Sequence, residues 1–78
     1  MMKKILLTQA KANHKYRITE ILGGGNLQNK LMNMGMYKGR ELTKLSHIGL
    51  RGPVVIKTGR SILALGHDIA TKVMVEAQ

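Results

Sequence analysis

Residues 21–39 read ILGGGNLQNKLMNMGMYKG, and the parsing of this stretch decides the fold. Leu27, Leu31 and Met34 recur at i, i+4 and i+7, one stripe of a helix, with Gln28, Asn29, Lys30 and Asn33 facing away. Asn26 stands where an N-cap is expected, and Gly35 fits the left-handed position that ends a helix. Gly23–Gly25 carry a large entropic cost, so they mark a tight turn into the helix, and Gly39 restarts extended chain. A helix under about 12 residues is marginal alone in water, so this one must dock on flanking strands. Met32 and Met36 fall off the stripe and either fill the core or form an adaptable contact surface. The glycines have neither GxxxxGK[ST] nor GxGxxG spacing, which excludes a phosphate loop.

Outward from the helix the chain reads as strands. Residues 16–22, YRITEIL, alternate imperfectly between apolar and polar, end at glycine and carry β-branched side chains. Upstream, Ile5–Leu7 form an apolar anchor, and Asn13–His14 mark a turn because Asn tolerates positive φ. Downstream, Arg40–Ile48 form a strand in which the odd separation of Leu42 and Leu45 implies a bulge or two apolar faces. Residues 49–53, GLRGP, form a loop with apolar Leu50 at its centre. Gly59–Arg60 reads as a two-residue hairpin turn, type II′ or I′, between the apolar runs 53–58 and 61–65. Both runs are expected to be covered on both faces. Residues 67–71 make one helical turn capped by Asp68 or His67, and residues 72–75 a last strand. The pattern predicts a mostly β fold, a small barrel of five to six strands. One short helix lies between the first strands, and a helical turn comes near the C-terminus.

Composition bounds the function. The 78 residues form one domain, 1–78, with no cysteine, 44% hydrophobic content and a net charge of +9. No apolar run approaches the roughly 20 residues of a membrane span, and a soluble, cytoplasmic protein is expected. The charge favours an anionic partner. Tyr16 and Tyr37 are the only aromatics, too few for a stacking platform on nucleic acid. The four carboxylates, Glu20, Glu41, Asp68 and Glu76, form no i,i+3 or i,i+4 pair, and there is no Gly-x-Ser-x-Gly elbow, so no enzyme is expected. His14, His47 and His67 are far apart and without HxxxH spacing; adjacent His67 and Asp68 are the nearest approach to metal ligands.

The ordered motifs resemble the ferrous iron transport protein A family, small proteins with an SH3-like barrel. The resemblance runs from Leu7 through the Asn13 turn and Ile18 to Lys30-Leu31, Met34-Gly35-Met36 and Gly39. Those last residues are similar to the family's basic-Leu-x-x-Leu-Gly-hydrophobic-x-x-Gly motif. It continues through Gly52-Pro53-Val54, residues 55–57, Gly59, residues 61–65, Ile69-Ala70, Val73 and Val75. Asn13 replaces a usual glycine, Lys38 a frequent proline, Gly66 a basic residue, and the helix is Asn-rich where acidic residues are usual.

The resemblance implies an accessory role in bacterial ferrous iron uptake. Its implied partner is a membrane ferrous iron permease with a cytosolic GTPase domain, bound by protein–protein contact. Location would be cytoplasmic, or peripheral at the inner membrane through that partner. The expected contact surface comprises Met32, Met36 and Tyr37, with Leu50 and Arg51. No catalytic residue, cofactor or iron-binding motif carries over. Two other readings remain: a basic SH3-like nucleic-acid module, and a regulator-contacting relative of the C-terminal domain of iron-dependent repressors. No specific nucleic acid is expected, and homo-oligomerisation through edge strands stays open.

Overall fold

Glycines and β-branched runs divide the described residues into six strands and three short helical pieces. A computed structural model describes residues 3–78. The order is β1 (Lys4–Leu6), a 3-10 turn (Leu7–Gln9), β2 (His14–Ile21), α1 (Gly25–Asn33), β3 (Glu41–His47), β4 (Val54–Thr58), β5 (Ser61–Leu65), α2 (His67–Ala70) and β6 (Val73–Ala77). All pairings are antiparallel, in one six-stranded sheet of order β1-β6-β2-β3-β4-β5. The expected mostly β, SH3-like fold is present, as an open sheet whose two edges are β1 and β5.

Two bulges explain the broken alternations of the sequence. In β2, Tyr16 and Ile18 point into the core, and the register against β6 shifts between Ile18 and Glu20. Thr19 is the extra residue, and it resets the phase so that Ile21 packs against the core as well. In β3, Leu42 and Lys44 point inward, and the register against β4 shifts between Lys44 and Ser46. The odd spacing of Leu42 and Leu45 is this bulge. The long β2 pairs β3 through His14–Arg17 and β6 through Tyr16–Ile21, so it belongs to both halves of the sheet.

α1 ends in a Schellman motif: Met36 N–H donates to the Leu31 carbonyl at 2.8 Å and Gly35 N–H to the Met32 carbonyl at 2.9 Å. Gly35 has φ 85°. The motif turns Met36 back beside Leu31, and both are fully buried in the same core. Leu27 and Met34 pack against that core from the expected stripe.

Three expectations need correction. The N-cap of α1 is Gly24 rather than Asn26, and α2 is preceded by Gly66 with no side-chain cap. The last glycine of the corner thus starts the helix itself. β5 is not covered on both faces: as an edge strand it leaves Ile62 65% exposed. The expected two-residue hairpin turn is present and is type II′, since Gly59 has φ 60° while Arg60 is not among the positive-φ residues.

Candidate functional site

Three residues expected at the contact surface line one groove. It runs between α1 and β2, encloses ≈ 280 Å³ and is lined by Thr19, Glu20, Ile21, Gln28, Met32, Met36, Tyr37 and Lys38. Met32 is 57% exposed and Tyr37 38% exposed. Met36 is corrected from rim to floor: its exposure is 0%, because the Schellman turn draws it into the core. The bulge residue Thr19 adds a buried hydroxyl with no hydrogen-bond partner.

Arg40 fixes the rim. Its Nη1 donates to Tyr37 Oη at 3.1 Å, its Nε to Thr58 Oγ1 at 2.8 Å, and its guanidinium carbon lies 5.7 Å from the Tyr37 ring centre. A cation over an aromatic face contributes about 0.5–1 kcal/mol at an exposed site. Tyr37 is therefore presented to solvent in a set position.

Leu50 and Arg51 do not join this groove. Leu50 is 91% exposed on the β3–β4 loop. Arg51 lines a second depression, ≈ 490 Å³, with Gly66, His67, Asp68 and Ile69. The expected surface is two patches.

His67 meets a residue that sequence reading did not single out with it. Its ring lies against that of His47, centres 6.2 Å apart and planes inclined by 26°. His47 Nε2 and His67 Nδ1 are buried with no hydrogen-bond partner. The signal lies in the register: His47 pairs Val54 and Val54 pairs Leu65, which places His67 just past the same end of the sheet. Asp68 is exposed in the first turn of α2.

Lys44 was also missed. It is buried at 3% exposure, and its Nζ donates to the carbonyls of Leu7, Thr8 and Ala10 at 3.2, 3.3 and 2.6 Å. Burial lowers its pKa below the usual 10.5, while the three acceptors favour the cation. The role is structural: it caps the 3-10 turn. Among the described residues one ion pair occurs, Arg17–Glu41 at 3.9 Å, partly exposed and worth little. Most of the positive charge is therefore uncompensated.

The fold and its groove define a small SH3-like β module. The FeoA domain model matches residues 5–77, and the chain belongs to the FeoA family. This is a family of small accessory proteins implicated in ferrous iron uptake. The chain is similar to the crystal structure of an iron uptake regulatory protein, FeoA, at 32% identity, covering 94% of this chain and 95% of that one with TM-score 0.83. It is similar to iron(II) transport protein A from Clostridium thermocellum at 27% identity and TM-score 0.85, covering 94% of this chain and 45% of that one. A manganese-dependent transcriptional repressor shares the fold alone, at 13% identity and TM-score 0.88, over 100% of this chain and 44% of that one. Comparison with curated proteins finds no match.

Proposed function

We propose that the chain is an adaptor of ferrous iron uptake that docks on the cytosolic GTPase part of a ferrous iron permease and modulates transport. The observation that carries this reading is the α1/β2 groove, where exposed Met32 and Arg40-held Tyr37 flank a buried, unpartnered Thr19 hydroxyl. An exposed apolar rim along a concave groove suits a protein edge or loop. The net charge of +9 favours an acidic partner face and speeds encounter. Leu50 with Arg51 is a second, separate contact. Among the described residues no helix is long and apolar enough to cross a membrane. A nucleic-acid role lacks stacking residues, because Tyr16 is in the core and Tyr37 lies beside Arg40.

Co-purification of the chain with the permease's cytosolic domain tests this. Met32→Asp with Tyr37→Asp should abolish capture while leaving the melting temperature near that of the parent. Leu50→Asp alone should weaken capture. Full capture by the folded double variant would remove the groove from the interface.

A further inference from the structure

We propose that edge strand β5 binds an extended acidic segment of a partner protein, which adds to the sheet as a further strand. Thr58 and Ser61 flank the two-residue turn and pair directly. Such a pair closes the ladder with hydrogen bonds, and the alternation of an antiparallel pair fixes the rest. Ser61, Leu63 and Leu65 turn their backbone groups to β4, while Ile62 and Ala64 direct theirs outward. Among the described residues no strand pairs with that side of β5, and no turn or loop group bonds to the backbone of Ile62 or Ala64.

Native sheets defend their edges with short strands, proline, bulges or charge. β1, the other edge, spans three residues and carries Lys4. β5 has five residues, SILAL, with neither charge nor proline, and its register on β4 runs without a shift. Its outer face is apolar: Ile62 and Ala64 are exposed, and Val55 lies opposite Ala64. Such an edge suits strand addition, in which main-chain bonds hold the peptide and alternate side chains select it.

Charge names the occupant. From Leu42 to His67 the sequence holds Lys44, Arg51, Lys57 and Arg60 and no carboxylate. Lys44 is engaged by buried carbonyls, but the other three bracket β5. Arg60 precedes the strand, Lys57 lies opposite Ile62, and Arg51 shares a depression with Gly66, just past its end. Asp68 lines the same depression and offsets Arg51 in part. Among the described residues none of the three cations makes an ion pair. A second copy brings the same cations to the edge, so self-pairing is the weaker occupancy. A segment with acidic ends and apolar residues between them meets Arg60, Ile62 and Ala64 on one face. β3 and β4 separate β5 from β2 in the sheet, so this edge is independent of the α1/β2 groove.

The test is titration of the ¹⁵N-labelled full chain with the end-capped peptide Glu-Thr-Val-Thr-Val-Thr-Glu, which reads the same in either strand direction. Amide shifts should centre on residues 61–65, with the Ile62 and Ala64 amides gaining protection from hydrogen exchange. A peptide N-methylated across Val-Thr-Val should bind at least about tenfold more weakly, because its centre cannot donate to β5. Arg60→Glu should weaken binding of the acidic peptide about three- to fivefold. Lys in place of both Glu residues of the peptide should weaken binding to the parent similarly. Met32→Asp with Tyr37→Asp should leave peptide binding unchanged, which separates this edge from the groove. Shifts absent from residues 61–65 at millimolar peptide, or equal binding of the N-methylated or Lys-ended peptide, would overturn the proposal. So would self-association at this edge that the peptide fails to disperse, or an oligonucleotide that shifts the same amides and displaces the peptide.

Discussion

Lys44 Nζ lies 2.6 Å from the Ala10 carbonyl oxygen, so a cation in the middle of β3 holds the turn that leads out of β1. The same nitrogen reaches Leu7 and Thr8, and no carboxylate takes part. Replacing it with an apolar side chain of similar length leaves buried carbonyls short of donors. Lys44→Met should cost about 3 kcal/mol, read as a lower urea midpoint with unchanged m-value.

The same residue sets a pH dependence. Burial lowers its folded pKa below 10.5, so between the folded and unfolded values the unfolded chain binds more protons. Stability must then rise with pH through that alkaline window. Below the folded pKa both states carry the charge, and the desolvation cost is present in full. Urea titrations approaching pH 10.5 should show this positive slope relative to Lys44→Met. A flat difference between the two proteins would mean that the carbonyls fully offset burial.

Gly35 and Gly52 fail for opposite reasons. Gly35 has φ 85° and open space where a Cβ would sit, so Gly35→Ala costs backbone strain alone, about 1–2 kcal/mol. Gly35→Asn should recover part of it. At Gly52 a Cβ would fall 1.8 Å from the Ile48 carbonyl oxygen, a clash that only movement of the β3–β4 loop relieves. Gly52→Ala should therefore shift amide resonances throughout residues 48–53, whereas Gly35→Ala keeps its changes near the end of α1.

Arg40 links the groove rim to β4 through Tyr37 and Thr58. Arg40→Ala should release the Tyr37 ring, seen as faster ring averaging by NMR, and destabilise the chain by about 1 kcal/mol. Partner capture should fall even though Met32 and Tyr37 are both still present.

Ile62 lies exposed on edge strand β5, whose outer side is unpaired, the arrangement that invites edge-to-edge association. Sedimentation should show concentration-dependent self-association of the parent, suppressed by Ile62→Lys. The stability change should stay within about 0.5 kcal/mol, as for other surface substitutions.

What the sequence makes legible is local. Leu27, Leu31 and Met34 advertise α1 by their spacing, and Gly35 and Asn13 show their positive φ by residue type. The bulges leave a trace too, since Leu42 and Leu45 cannot share a face without one. The caps mislead because Asn26 is a better side-chain cap than Gly24 in isolation, yet the glycine corner starts the helix two residues earlier. Lys44 is opaque because its acceptors lie 34–37 residues away and nothing nearby distinguishes it from a surface lysine. His47 and His67 meet only through the β3–β4–β5 register, which is a property of the sheet. Met36 is misplaced for a similar reason: its burial follows from how the Schellman turn docks on Leu31.

β6 follows every other strand in sequence but lies between β1 and β2 in the sheet. During synthesis, residues 4–6 and much of β2 therefore wait without their neighbour until residues 73–77 have left the ribosome. The β2–β3–β4–β5 portion can form hairpin by hairpin as it emerges, but the β1 side cannot. The nascent chain thus carries two exposed strand edges until residues 73–77 have left the ribosome, and removing β6 would split the sheet rather than trim it.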